Sequence, residues 1–293
     1  MWLLLAGGAF AIFLVAVIAL VLVLVPSTGG GGEFGFQERI QVVDIEGELL
    51  DSRGVIEQLE RYEDVDSVPA ILLHIDSPGG DVAASQELYA EVLRLREKGK
   101  TVVAYLSSTG ASGAYYVACA ADLIIANPGT VVGSIGVIAE WLNYGELLEW
   151  ARLSNVVLKS GDFKDMGSPT RDLTEEERAY FQTLIDDMYG QFVDAVAMGR
   201  GLEVDQVREF ADGRVFTGRA ALELGMIDLT GNFQDAVERT AELAGIAPRP
   251  RLIRVQRPSL TLLDVISGDL SGVLPSLGQG RFPGQIRFQY VWK

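Results

Sequence analysis

The hydrophobic pattern divides the chain into a short apolar beginning and a long mixed remainder. Residues 2–25 carry no charged side chain, and as a helix these 24 residues would span roughly 36 Å, enough for a hydrocarbon core of about 30 Å. The run is longer than that of a signal peptide, and it contains no evident small-residue cleavage site. We therefore expect an uncleaved transmembrane anchor over residues 1–25 and a flexible, glycine-rich tether over 26–37.

From residue 38 onward the pattern alternates between strands and helices. Continuous apolar runs at 69–77 and 101–108 are typical of strands that are buried on both faces. Apolar residues recur at helical spacing at 54–65 and 81–100. A further strand is expected at 39–49. The resulting order of strand, helix, strand, helix and strand predicts an α/β fold with a mainly parallel sheet.

The second half of the chain is predicted to be mostly helical. A long helix is expected to follow Thr174, because Glu177 three residues later completes a capping-box pattern. After Pro248 the pattern weakens, apart from an apolar segment at 260–275 and a short last strand at 286–293. We therefore place one domain at 38–247 and an extension at 248–293 that could serve assembly.

The charge balance excludes one class of partner. The formal net charge of -16 argues against nucleic acid, because phosphate contacts require clustered lysine and arginine. The single cysteine, Cys119, rules out an intrachain disulfide and is expected to be a small buried core residue. Neither a metal nor a cofactor is expected.

Two glycine-bearing turns follow the predicted buried strands. The first is Ser77-Pro78-Gly79-Gly80, and the second holds Ser112 at the start of a helix of small residues. Each could be a plain tight turn, but both fall at the carboxyl ends of strands, where open α/β sheets place their sites. A backbone N–H from the first turn and that of Gly113 could together bind an oxyanion. An extended peptide could pair with an open sheet edge beside them.

A nucleophilic serine needs a base, and the only histidine is poorly placed for that role. His74 lies inside an apolar run and is expected to be a core residue, which argues against a Ser-His-Asp triad. Lysine is the remaining common partner. Among the five lysines, Lys98 and Lys100 lie at a polar helix end, and Lys293 is the last residue.

Two lysines therefore remain as candidate bases. Lys159 is expected at the end of an apolar strand, and Lys164 lies in a loop beside Phe163 and Met166. A lysine base requires partial desolvation or a nearby cation, so that its amine is neutral. Spacing favours Lys164, with Lys159 as the alternative and a solvated loop lysine as the non-catalytic interpretation.

Four motifs in this order carry a resemblance to a known family. They are "IDSPGG", "GASGAYYVACAAD", "NPGTVVGSIGV" and "SGDFKDMGSPTRDLTEEER". From about residue 38 to 245 the chain resembles the signal peptide peptidase A family of membrane-anchored Ser-Lys peptidases. The resemblance implies a fold related to the Clp protease and crotonase superfamily, and the cleavage of remnant signal peptides left in the membrane.

The resemblance also implies roles for individual residues. Ser112 would be the nucleophile, Lys164 the general base, and Ser134 the residue that hydrogen-bonds the lysine amine. Gly80 and Gly113 would supply the oxyanion N–H groups. Short members of the family assemble as rings in which neighbouring subunits complete each site, so a homo-oligomer is expected here.

The expected location is the cell membrane, with a single span and the catalytic domain on the extracytoplasmic side. Substrates are expected to be extended apolar peptides, with small or aliphatic residues before the cut because small residues surround Ser112. Two other functions stay open. One is a catalytically silent, membrane-tethered scaffold, and the other is an acyl-CoA hydratase-like enzyme of the related fold, which would use carboxylates as acid and base.

Overall fold

The computed structural model describes residues 38–255 and 287–293. The predicted anchor over 1–25, the tether over 26–37 and the apolar segment at 260–275 lie outside these residues. Within the described ranges, no helix combines the length and the apolar character needed to cross a bilayer.

Eleven strands are present in the described residues. In chain order they are β1 (Arg39–Glu46), β2 (Ala70–Ser77), β3 (Gly79–Asp81), β4 (Thr101–Ala111), β5 (Leu123–Ala126), β6 (Val131–Gly133), β7 (Ile138–Glu140), β8 (Val215–Thr217), β9 (Leu229–Thr230), β10 (Arg251–Arg254) and β11 (Arg287–Val291).

Eight of these strands form a mainly parallel sheet, as the pattern predicts. Its main path runs β10-β1-β2-β4-β5-β9, and every pairing along this path is parallel. Strand β6 pairs in parallel with the far end of β4, and β8 pairs antiparallel with β6. A separate antiparallel sheet is formed by β3, β11 and β7. The expectation of an α/β fold with a mainly parallel sheet is confirmed.

Eight α-helices accompany the strands in the described part of the chain. They are α1 (Arg53–Glu60), α2 (Val82–Glu97), α3 (Gly113–Ala118), α4 (Gly145–Trp150), α5 (Glu175–Arg200), α6 (Val204–Phe210), α7 (Gly218–Glu223) and α8 (Phe233–Leu243). The predicted capping box at the start of α5 is present, with Thr174 accepting from the Glu177 N–H. This helix ends at Gly201, which has φ 62° and lies in the left-handed region.

Alternating residues of the central strand β4 contact two separate cores. Val102, Ala104 and Leu106 belong to the larger hydrophobic cluster, which includes residues of α2, α3 and α5. Val103 and Tyr105 belong to the smaller cluster, which includes residues of α8. Because strand side chains alternate between faces, the sheet is covered on both sides, as expected for a parallel sheet.

The apolar stretch 123–138 forms β5 and β6 and leads into β7. One local expectation needs correction. Lys159 was expected to end an apolar strand, and this is wrong, because residues 153–159 have no regular structure and are exposed. Leu158 is 96% exposed, so no neighbouring strand in the described part of this chain packs against that segment.

We predict opposite effects from alanine at two glycines of α5. A Cβ at Gly199 would lie 2.1 Å from the carbonyl oxygen of Cys119, so Gly199→Ala should lower the free energy of unfolding by about 1–3 kcal/mol. Gly190, in the same helix, has nothing within 4 Å of such a Cβ. Gly190→Ala should therefore raise the free energy of unfolding by about 0.4–1 kcal/mol. Urea unfolding of both variants measures the difference, and equal effects would contradict the close contact at Gly199.

Candidate active site

The strand register brings three turns to one end of the sheet. In the parallel pairings, Ser77 of β2 lies opposite Gly110 of β4, and Ala111 of β4 lies opposite Gly133 of β6. The segments that follow these residues therefore leave the sheet side by side. They contain the first glycine turn and Ser112, which the sequence pattern identified, and Ser134, which the family resemblance implies.

Ser112 has an unusual backbone and an unpaired side chain. Its φ of 54° and ψ of -123° lie outside the regions that non-glycine residues normally adopt. The Ser112 N–H donates to the Gly133 carbonyl at 2.6 Å, which fixes this conformation against β6. The residue is buried, and its Oγ makes no hydrogen bond to any described residue. A hydroxyl held this way is free to react with a group placed against it.

Ser134 repeats this backbone arrangement one strand away. It also has a φ of 54°, and its N–H donates to the Arg214 carbonyl at 2.8 Å. It lines a cavity of about 470 Å³ together with Tyr189, Arg208 and Val291. Ser134 therefore lies next to an open space that reaches β11.

A peptide carbonyl of this chain lies between the two glycine turns. Gly79 has a φ of 91°, which favours glycine, and a Cβ there would lie 2.5 Å from the Gly113 nitrogen. A Cβ at Gly113 would lie 3.3 Å from the Gly80 nitrogen and 3.1 Å from the Tyr290 carbonyl oxygen. The Gly80 and Gly113 amides thus converge, and a peptide oxygen lies beside them.

Strand β11 covers the edge that was expected to be open. It pairs antiparallel with β3, with Tyr290 opposite Gly80, and the Trp292 N–H donates to the Pro78 carbonyl at 2.8 Å. On its other side β11 pairs with β7. The expectation of an open edge is wrong for this chain, because its own strand completes the antiparallel sheet.

The side chain of Tyr290 fills a closed pocket. The ring is fully buried, with its centroid 5.4 Å from that of Tyr116 and 4.6 Å from that of Phe192. Its hydroxyl donates to the Met188 carbonyl at 2.7 Å. Burial raises the pKa of the Tyr290 hydroxyl well above its ordinary value. The pocket therefore accepts a large aromatic group with one polar end.

The five lysines differ sharply in their contacts. Lys98 and Lys293 form ion pairs, Lys159 pairs with an aspartate, and Lys100 donates to three backbone carbonyls. Burial lowers the pKa of Lys100. Lys164 is exposed on a single 3₁₀ turn, and its side chain makes no hydrogen bond or ion pair to a described residue. Within this chain no bond joins it to Ser112.

His74 is engaged away from the serine. Its Nδ1 lies 2.8 Å from Oδ1 of Asp44, and its ring stacks on Tyr105 with centroids 5.7 Å apart. The expectation of a core residue is only partly met, because the side chain is partly exposed. The Ser112 Oγ has no hydrogen-bond partner among the described residues, so His74 does not act as its base in this arrangement.

His74 also belongs to the group of described residues best placed to bind a metal ion. Ligand atoms of Asp44, Glu46 and His74 lie within 4.8 Å of one another. Arg254 donates to both carboxylate oxygens of Asp44, so the positive charge there is already supplied.

Cys119 is not among these ligands. It is buried in the core as expected, and burial raises the pKa of its thiol to about 12.

Sequence reasoning missed the role of β11 and the contacts around Lys164. The last strand was expected, but its alternating pattern does not say which strand it pairs with. The sequence pattern assigned no role to Arg171, yet this residue donates hydrogen bonds to both Asp165 and Glu177. The charge spacing could have indicated these contacts, because the two acidic residues lie six residues before and six residues after Arg171.

Much of the chain is similar in sequence to known proteins. The family model described as peptidase family S49 matches residues 94–247. A protein of Synechocystis sp. named as a candidate protease is 43% identical over 80% of this chain and 84% of its own. A candidate signal peptide peptidase of Enterococcus faecium is 36% identical over 65% of this chain and 56% of its own.

A plant protein extends the comparison. The chloroplastic serine protease SPPA of Arabidopsis thaliana is 33% identical over 78% of this chain, which spans 34% of that longer protein. The resemblance to the signal peptide peptidase A family is therefore confirmed, and it supports a peptidase function. On the strength of the matched domain and these relatives, the chain belongs to peptidase family S49.

Proposed function

We propose that this protein is a serine endopeptidase in which Ser112 is the nucleophile and Lys164 the general base. The observation that carries the proposal is the Tyr290 carbonyl oxygen beside the amides of Gly80 and Gly113. The unpaired Oγ of Ser112 lies in the residue directly before Gly113. A substrate carbonyl in that place would meet a nucleophile and two N–H donors together.

The proposed reaction begins at the hydroxyl of Ser112. The Ser112 Oγ attacks the carbonyl carbon, and its proton passes to the neutral amine of Lys164. The oxygen becomes an oxyanion facing the Gly80 and Gly113 N–H groups, each worth about 3–4 kcal/mol to the transition state. Lys164 then returns the proton to the leaving amine, which leaves an ester on Ser112. Water, deprotonated by the same lysine, hydrolyses that ester.

Ser134 is proposed to orient the lysine. It lies at the end of β6, whose pairing with β4 places it next to Ser112 in the sheet. Its cavity also reaches Val291, the residue after Tyr290. A lysine entering this cavity would meet the Ser134 hydroxyl on the leaving-group side of the cut.

We propose that Lys164 reaches Ser112 of a neighbouring copy. The Lys164 side chain has no partner within the described part of its own chain, and its segment exposes several large apolar side chains. Leu158 is 96% exposed and Trp150 82% exposed. A second copy would cover these side chains and remove the lysine from water, which lowers the cost of its neutral form. A closed ring satisfies every such contact.

Strand β11 occupies the place in which we propose that a substrate peptide binds, paired with β3. A substrate pairing with β3 in the same register would place its residue before the cut in the pocket of Tyr290. We therefore propose that large apolar or aromatic residues are preferred there. This departs from the small or aliphatic preference expected from the residues around Ser112. Substrate and β11 would compete for the same edge.

We further propose that the natural substrates are remnant signal peptides. The uncharged stretch at 2–25 would hold the domain at the cell membrane, on its extracytoplasmic side, where such peptides remain. The relative of Enterococcus faecium that is named as a candidate signal peptide peptidase supports this. An extended apolar peptide also suits strand pairing at β3.

The two alternative functions gain no specific support. An acyl-CoA hydratase-like enzyme would need carboxylates facing Ser112, and the Ser112 Oγ bonds none among the described residues. A silent scaffold would not require the strained, unpaired serine. Membership of a peptidase family also favours hydrolysis.

We predict that Ser112→Ala and Lys164→Ala are each nearly inactive but complement one another when mixed. Each variant alone should lose at least about 10³-fold in kcat, because the nucleophile or its base is gone. Co-refolded mixtures should regain roughly a quarter of wild-type activity, since random neighbours restore that share of sites. A fluorogenic peptide assay measures this.

The matched controls are Lys98→Ala and His74→Gln, which should keep substantial activity. Failure of the mixture to regain activity would contradict a lysine supplied by a neighbour. Near-normal turnover by Lys164→Ala alone would contradict the assigned base and favour Lys159.

We predict that the residue before the cut controls the rate through the Tyr290 pocket. Four otherwise identical apolar peptides with tyrosine, leucine, alanine or lysine at that position should be cleaved in this order. The tyrosine peptide should exceed the alanine peptide by about 10-fold in kcat/KM, equivalent to about 1.4 kcal/mol. Product masses identify the cut. Faster cleavage after alanine would contradict the pocket assignment and restore the preference for small residues.

A further inference from the structure

The turn that carries Lys164 is held by one arginine. Arg171 donates through Nε to Oδ2 of Asp165 at 3.0 Å and through a terminal nitrogen to Oδ1 at 2.8 Å. Asp165 is the residue directly after Lys164 and closes the 3₁₀ turn Asp162–Asp165. The bidentate geometry fixes the orientation of this carboxylate, and with it the end of the turn.

The same guanidinium is anchored to the beginning of α5. It donates to Oε2 of Glu177 at 2.8 Å, and this carboxylate is buried. Glu177 also accepts from the Thr174 N–H at 2.9 Å as part of the capping box. The hydrogen bonds from Arg171 lower the pKa of Glu177 to about 2. Arg171 thus ties the exposed turn to the end of a rigid, 26-residue helix.

The charges around Asp165 are balanced without Lys164. Lys159, from the preceding loop, donates to Oδ1 of Asp165 at 2.7 Å, and Arg171 faces it from the other side. Glu177 is the second carboxylate that faces Arg171, so two cations meet two anions. Asp162 shares the turn, and its carbonyl accepts from Lys159 at 2.7 Å. Asp165 is therefore occupied, and its pKa is lowered chiefly by the Arg171 hydrogen bonds.

We propose that Arg171 is a positioning residue for the catalytic lysine: it clamps the Lys164 turn to α5 and keeps Asp165 from pairing with Lys164. This rests on the proposed function, in which Lys164 must be neutral to accept a proton. A free carboxylate beside the lysine would stabilise its protonated form. By holding Asp165 in a fork, Arg171 leaves the Lys164 amine available to the serine of the neighbouring copy.

Arginine is required here rather than a generic cation. The planar guanidinium reaches two carboxylates at once with hydrogen bonds in fixed directions, which a lysine ammonium cannot do. Arg171→Lys would preserve the charge and lose the fork. The two parts of the proposal, geometry and charge, can therefore be separated by substitution.

The test measures kcat, KM and the pH dependence of peptide cleavage by the full protein. Wild-type activity should rise with pH, because the lysine base must lose its proton. Arg171→Met should lower kcat by about 10-fold or more with little change in KM, and move the rising limb up by roughly 0.5–1 pH unit. Arg171→Lys should keep the rising limb near its wild-type pH, but it should recover only part of the kcat lost in Arg171→Met.

Asp165→Asn should shift the rising limb of the pH profile in the opposite direction. It also keeps the proposal testable if Arg171→Met does not fold. It removes the carboxylate and leaves Lys159 and Arg171 in excess, so the limb should move to lower pH. Combined with Arg171→Met, it should return the limb close to its wild-type position. The matched control is Arg53→Met, which removes a similar arginine fork on Asp51 at the start of α1. It should change neither kcat nor the limb.

The outcomes separate this proposal from the one on which it rests. Near-normal activity of Lys164→Ala would overturn the proposed base, whatever Arg171→Met does. If Lys164→Ala is inactive, an unmoved limb in both Arg171→Met and Asp165→Asn overturns the role of Arg171. Limb shifts of opposite sign in these two variants, reduced at 1 M salt, support it.

Discussion

The parallel register of β4 with β2 and β6 is the constraint on which the candidate site depends. Strand β4 runs for eleven residues and pairs with β2, with β5 and, at its end, with β6. Its pairing with β6 ends at Ala111 opposite Gly133, and the Ser112 N–H continues the contact with a hydrogen bond to the Gly133 carbonyl. A slip of one residue would turn Ser112 to the other face and separate it from the Gly80 turn.

Close backbone contact at three glycines brings the segments aligned by that register together. Glycine at 79, 80 and 113 lets three backbone segments approach more closely than side chains would allow, and the Tyr290 carbonyl completes the group. The result is a rigid place for one peptide oxygen, built from amides already oriented by the sheet. Preorganised donors of this kind need no rearrangement during the reaction, which is why they contribute strongly to catalysis.

The sequence predicted the parts of this site that depend on local patterns. Apolar runs located β2 and β4, and the turns after them identified Ser112 and Gly113 as candidates. The family resemblance added Gly80. Periodicity could not say that β11 pairs with β3, because strand pairing between distant segments is not a local property. It also placed Lys159 on a strand that does not form, since exposed apolar residues resemble buried ones in sequence. We propose that Lys164 acts on a neighbouring copy, and no intrachain pattern can reveal a contact of that kind.

The central claim is that the unpaired hydroxyl of Ser112 is the nucleophile, and covalent labelling tests it most directly. The protein would be treated with a serine-reactive phosphonate at alkaline pH, digested, and mapped by mass spectrometry. The account predicts one adduct, on the peptide that contains Ser112, and strongly reduced labelling in Lys164→Ala with unchanged folding. An adduct on a different serine, or no adduct in an active preparation, would contradict it.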